Sequence, residues 1–157
     1  MLVAVIGGDS PPAWAVEAAE EVGRLLARNG CTVICGGRGG VMEGVCRGAR
    51  AEGGHTIGIL PGNDRSDANA FVEFPIVSGI GMARNSMVVL SADVVIAIDG
   101  SFGTLSEIAY ALNYQKPVVG LRTWDLKPTA GEEIAVVPAG DAQEAVTLAL
   151  HIGRKQP

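Results

Sequence analysis

Four short stretches of this chain share one plan: an apolar run stops at a glycine-bearing corner, and in three of them a helix-patterned segment follows. Leu2 to Ile6 stops at Gly7-Gly8, Cys31 to Cys35 at Gly36-Gly37, His55 to Leu60 at Pro61-Gly62, and Asp93 to Ile98 at Asp99-Gly100. Strands that are apolar throughout, without alternation, are buried on both faces, which is the habit of parallel sheets covered by helices. Strands alternating with helices build βαβ units. The expected fold is therefore α/β: a single-domain Rossmann-like doubly wound parallel sheet with helices on both faces. At 157 residues the chain has the length of one such domain, residues 1–157.

The helices are expected at Pro11 to about Asn29, Val41 to Glu52, Met82 to Leu90, Thr104 to Tyr114 and Asp141 to His151. Ser10 reads as the first N-cap with Pro11 at the first helical position, and Gly30 ends that helix. Asp141 and Glu144 have capping-box spacing. Further strands are expected at Phe74 to Val77, Pro117 to Leu121 and Ile134 to Val137, with loops at Asn63 to Glu73 and Arg122 to Glu133.

Composition excludes several functions. Charged residues make up 18% and the net charge is −5, with no run of Lys or Arg to track a phosphate backbone. The three Phe, two Trp and two Tyr are scattered, so no base-stacking platform is expected and no nucleic-acid partner. Apolar runs of five or six residues are too short to span a membrane. Met1 leads into an apolar strand without a basic segment, so no signal peptide and a cytoplasmic location are expected. Cys31, Cys35 and Cys46 form no CxxC pair and read as small buried hydrophobes. His55 and His151 have no metal-spaced partner, so no metal site is expected.

Glycine is the outlier, with 22 residues, about twice average usage. The first turn, Gly7-Gly8-Asp9-Ser10-Pro11, lacks GxGxxG, and no Walker A pattern occurs. In their place stand two loops at strand ends, each opening a helix: Gly36-Gly37-Arg38-Gly39-Gly40 and Gly100-Ser101-Phe102-Gly103-Thr104. Helix starts present unpaired N–H groups and partial positive charge, and glycines let backbone approach an anion closely. Both loops sit where open α/β sheets bind ligands. Candidate ligand-binding residues are therefore Gly8, Asp9, Gly36, Gly37, Arg38, Gly39, Gly40, Met82, Arg84, Gly100, Ser101, Gly103, Thr104 and Glu107.

Several of these have a second reading. Thr104 and Glu107 also have capping-box spacing. Arg84, near a helix start where a cation is disfavoured, either meets a carboxylate or ligand phosphate or reaches solvent. Arg38 either snorkels or touches an anion. Asp9 either accepts from ligand hydroxyls or caps the first helix.

Taken together, Gly36-Gly37-Arg38-Gly39-Gly40-Val41-Met42, Ile57-Gly58-Ile59-Leu60-Pro61-Gly62, Ala83-Arg84-Asn85 and Gly103-Thr104-Leu105-Ser106-Glu107 resemble one superfamily. It holds the molybdenum-cofactor carrier proteins and the cytokinin-activating phosphoribohydrolases, often misnamed lysine decarboxylases. Gly53 to Gly62 and Pro75 to Gly79 are more similar to the carrier branch. The resemblance implies a Rossmann-like fold, a homo-oligomer formed through surface helices, and a phosphate-bearing small molecule over the two loops. Its hydrolases use an Arg and the Glu of a Pro-Gly-Gly-x-Gly-Thr-x-x-Glu motif, and Arg84 and Glu107 match as catalytic residues if the chain is an enzyme. Asp99 replaces the motif's Pro and Ser101 its second Gly, which argues against hydrolysis of a nucleoside monophosphate. The resemblance thus implies a binding protein that holds the molybdenum cofactor, a pterin phosphate or a related compound without turning it over. The alternative is N-glycosidic hydrolysis of a nucleoside 5′-monophosphate; a nucleotide-sensing module ranks third. The helices from Met82 and Thr104 bury apolar faces against either a second copy or the protein's own core.

Overall fold

A computed structural model describes residues 1–127 and 136–154. Seven parallel strands form one sheet: β1 (Leu2–Gly7), β2 (Thr32–Cys35), β3 (Thr56–Leu60), β4 (Phe74–Val77), β5 (Val94–Ile98), β6 (Val118–Leu121) and β7 (Val136–Ala139). Their spatial order is β4-β3-β2-β1-β5-β6-β7. The chain therefore winds outward from β1 to β4, returns to the far side of β1 at β5, and winds out the other way. The switch lies between β1 and β5, which pair from Val3 opposite Val94 to Gly7 opposite Ile98.

Helices α1 (Ala13–Arg28), α2 (Val41–Ala51) and α5 (Ala142–Gly153) cover one face of the sheet. Helices α3 (Asn85–Leu90) and α4 (Phe102–Asn113) cover the other. The two-residue strand period sorts the core. Val3, Val5, Val33, Val94, Ile96 and Ile98 meet the first group of helices, and Ala4, Ile6, Ile34, Val95 and Ala97 meet the second. Burying each Val or Ile contributes about 1.5–3 kcal/mol, so both faces hold the sheet flanked.

Three expected helix starts need correction. Helix α3 begins at Asn85, behind a 3₁₀ turn at Gly81–Arg84, three residues after the expected Met82. Pro12 follows Pro11, and a residue before proline is pushed out of the helical region. Helix α1 therefore starts at Ala13 behind an extended Pro12 (φ −63°, ψ 156°), and Ser10 is not its cap. Helix α4 starts at Phe102, two residues before Thr104. Strand β7 lies at Val136–Ala139, so the expected start at Ile134 lies outside the described residues. At α5 the expected cap is present: Asp141 Oδ1 accepts from the Glu144 N–H at 2.8 Å. All three cysteines are buried, and Cys35 and Cys46 touch at 3.5 Å between their sulfurs. That contact comes from α2 folding back on β2, which sequence spacing does not reveal.

Candidate functional site

The loops after β1, β2 and β5 meet at the switch. After β2 the chain turns through Gly40, whose φ of +60° favours glycine and where a Cβ would lie 2.3 Å from the Gly8 carbonyl oxygen. The protein itself takes up part of this loop's donor capacity. The Val41 N–H donates to the Gly8 carbonyl at 3.0 Å, and the Gly39 N–H donates to Asp9 Oδ1 at 2.8 Å. Asp9 therefore holds the loop and does not cap α1. Asn69 closes it from the outside: its N–H donates to the Gly37 carbonyl at 2.9 Å and its Nδ2 to the Arg38 carbonyl at 2.8 Å. Replacing Asn69 with Ala removes the second bond, and ligand affinity is expected to fall about threefold to tenfold at nearly constant fold, given the usual net value of about 1 kcal/mol. Titration of the variant against the wild type checks this.

The second loop is open. The N–H groups of Phe102, Gly103 and Thr104 have no acceptor among the described residues. Thr104 lies inside α4, so it is not an N-cap and the capping-box reading of Thr104 and Glu107 falls. Its Oγ1 is buried with no hydrogen-bond partner among the described residues, on a residue 1% exposed.

Arg84 ends a 3₁₀ turn, Gly81–Arg84, and points inward, 4% exposed. Its Nη1 lies 3.8 Å from Glu107 Oε1, its Nη2 reaches the Gly36 carbonyl at 3.4 Å, and its Nε has no partner among the described residues. Of the readings open to Arg84, the solvent one fails. Gly36 makes room for it, since a Cβ there would lie 2.6 Å from Nη2. Burial pushes the Glu107 carboxyl up to about 8 against the pull of Arg84. Burial also lowers Arg84, opposed by Glu107 and the Cys35 thiol. At neutral pH the pair is thus a buried cation beside a carboxylic acid that can donate a hydrogen bond.

These groups surround a cavity of about 320 Å³. Asp9, Arg38, Met82 and Ser101 stand on its walls with Gly103, and Arg84, Thr104 and Glu107 close its depth. Gly8, Gly36, Gly37, Gly39, Gly40 and Gly100 shape the loops and do not line it. Gly7, Met42, Pro61 and Asn85 also line it and were not singled out from the sequence, nor was Asn69. Gly7, Met42, Pro61 and Asn85 stand inside the turns and motifs quoted from the sequence, which is the signal that could have found them, whereas Asn69 carried none. Among the described residues no three His, Cys, Asp or Glu side chains cluster to hold a metal, and no helix is long and apolar enough to cross a membrane.

A family profile described as the SLOG cluster4 family matches residues 1–153. The molybdenum cofactor binding protein of Rippkaea orientalis is 38% identical, with a TM-score of 0.84 over 96% of this chain and 94% of that one. The molybdenum cofactor carrier protein of Chlamydomonas reinhardtii is 34% identical, with a TM-score of 0.88 over 98% of each chain. A cytokinin riboside 5′-monophosphate phosphoribohydrolase of Mycobacterium tuberculosis is 32% identical over 86% of this chain and 87% of its own length.

Proposed function

Because this chain belongs to the SLOG cluster4 family, close in structure to molybdenum-cofactor carriers, we propose that it binds one phosphate-bearing, pterin- or nucleotide-like molecule and holds it without turnover. The observation that carries this reading is the pair of buried, partnerless polar atoms, Thr104 Oγ1 and Arg84 Nε, beside the open amides of α4. An unsatisfied buried donor costs about 1–3 kcal/mol, and a phosphate oxygen satisfies several donors at once. The phosphate sits on the amides of Phe102, Gly103 and Thr104, with Arg84 neutralising its charge. Glu107, as an acid, donates to the ligand, and Asp9 and Arg38 meet its outer part. The cavity of about 320 Å³ is of small-ligand size.

The proposed cargo is the molybdenum cofactor, on the strength of the neighbours that bind or carry it. Equilibrium binding of that cofactor, then transfer to a molybdoenzyme lacking it, tests the assignment. Saturable micromolar binding with transfer is the expected result, and no saturable binding overturns it. Hydrolysis is the second reading, favoured by the buried Arg84 and Glu107 and by the hydrolase relative. Release of free base from AMP or an N6-substituted analogue, abolished by Glu107→Gln, would establish it instead.

The helices α3 and α4 also leave Met87, Leu90, Tyr110 and Tyr114 exposed on the outer side of the sheet. Apolar patches of this kind mark association surfaces. A homodimer through these helices is expected by sedimentation at micromolar concentration, and Tyr110→Asp is expected to shift it towards monomer. A wild-type monomer throughout that range excludes the assembly.

A further inference from the structure

Arg84 and Glu107 are both buried and of opposite character, yet their nearest atoms stand 3.8 Å apart. A closed pair of this kind, hydrogen-bonded charge to charge, sits at about 2.7–2.9 Å. The reason lies in Asn85, the first residue of α3 and itself 2% exposed. Arg84 Nη1, the nitrogen that faces Glu107, donates to Asn85 Oδ1. The other end of the amide is also used: Asn85 Nδ2 donates to Ser106 Oγ at 3.0 Å, and the Ser106 hydroxyl donates to the Gly103 carbonyl at 2.7 Å. With the Ser106 hydrogen spent on Gly103, its oxygen accepts, so the Asn85 amide must present NH₂ to Ser106 and oxygen to Arg84. The chain of bonds runs from the Gly103 carbonyl in the first turn of α4, through Ser106 on the same helix, across to Asn85 of α3, and ends on the guanidinium.

We propose that Asn85 is a positioning residue that holds Arg84 short of a closed ion pair with Glu107, and so keeps the guanidinium free for the ligand's anionic group. The proposal deepens the ligand-binding reading and rests on it for the second half of its statement. The first half concerns the empty site alone. With the pair held open, burial dominates at Glu107 and the acid keeps its proton. Without the Asn85 acceptor, the nearest acceptor for Nη1 is Glu107, and closure would ionise the carboxyl and cancel the charge of Arg84. The other groups facing the pair are the Cys35 thiol at the end of β2 and Arg38 in the glycine loop. Neither is touched by a change at residue 85. An asparagine that merely bolts α3 to α4 would affect thermal stability and leave the titration of Glu107 where it was.

The test is a side-chain carboxyl ¹³C titration of the ligand-free protein between pH 5 and 10, with the Glu107 signal assigned by its loss in Glu107→Gln. The wild-type midpoint is expected near 8. In Asn85→Leu it is expected to fall by about one unit or more, the usual effect of an opposite charge brought close. Ser106→Ala, which frees the amide to turn, is expected to shift it in the same direction by less, and it covers the case in which the Leu variant does not fold. A folded variant whose midpoint is unchanged or higher overturns the proposal, as does a wild-type midpoint in the ordinary carboxylate range. Calorimetry with AMP as the probe at pH 7 supplies the second arm, with affinity about tenfold weaker in Asn85→Leu. If AMP does not bind the wild type, the ligand reading fails for that probe while the titration still decides the role of Asn85.

Discussion

Arg84→Met is expected to weaken binding of a phosphate-bearing ligand roughly 10- to 100-fold while lowering the melting temperature by only a few degrees. Two physical facts set these directions. A hydrogen bond from a charged donor contributes about 1.5–3 kcal/mol, and each 1.4 kcal/mol is tenfold in affinity. Arg84 has a buried Nε with no partner among the described residues, and this is the donor the proposed ligand would engage. The same cation is desolvated beside a carboxyl that burial holds near 8, so removing it leaves no stranded charge at neutral pH, and the relief of desolvation offsets most of the loss of its bonds to Asn85 Oδ1 and the Gly36 carbonyl. Methionine keeps much of the stem's volume. An enzyme-like or carrier-like site predicts the loss of affinity, whereas an arginine serving the fold predicts a large loss of stability. Calorimetric titration and a thermal melt on the same sample separate the two.

The second large effect is in pH. In the unfolded chain Glu107 titrates near 4.3 and in the folded protein near 8. Between those values the native state binds a proton that the unfolded state does not. Stability is therefore full below the lower value and is lost as pH rises through the upper one. Each unit of difference is about 1.4 kcal/mol, so the loss between pH 5 and 8 is of order 3 kcal/mol, or on the order of 10 °C in melting temperature. The surface carboxylates paired with arginines, Glu20 with Arg47 and Glu52 with Arg28, are held below their ordinary range. Their contribution is lost only as pH falls below that range, so they do not mask the effect. Glu107→Gln removes the titrating group and keeps the shape, and its melting temperature is expected to be flat from pH 5 to 8. A wild type as flat as the variant would mean that Glu107 is ionised in the fold.

What could be read from the sequence follows from how local its cause is. The strands were legible because unbroken apolar runs admit few other readings, and the corners because glycine clusters ended them. Parallel pairing followed from the alternation of elements, whereas the place of the switch, between β1 and β5, is set by long-range pairing that no local pattern reveals. The start of α1 was misplaced because the conflict between Pro11 and Pro12 outweighs a good N-cap at Ser10. The start of α4 was misplaced because Ser101, Phe102 and Gly103 look like loop, and with it Thr104 and Glu107 looked like a cap instead of buried groups. The site's supporting residues were invisible for a different reason. Asn69 reaches residues about thirty positions away, and Asn85 bonds to Ser106 on another helix. Such ties are made by the fold, and no spacing in the chain announces them.

The two glycine loops also turned out unequal. Both read alike in sequence, but at the first the Gly39 N–H is spent on Asp9 and the Val41 N–H, at the start of α2, on Gly8, whereas among the described residues the α4 opening leaves the amides of Phe102, Gly103 and Thr104 unpaired beside a buried hydroxyl that also lacks a partner. The anchoring of the ligand at α4 is thus the claim on which the functional reading stands. The most direct measurement is a crystal structure of the protein grown with a nucleoside 5′-monophosphate near pH 7. The account predicts a phosphate with oxygens about 3 Å from Thr104 Oγ1 and the Gly103 N–H, and the Arg84 guanidinium turned to it. A phosphate held by the Gly36–Gly40 loop alone, with Thr104 Oγ1 bonded to a protein acceptor, would contradict it.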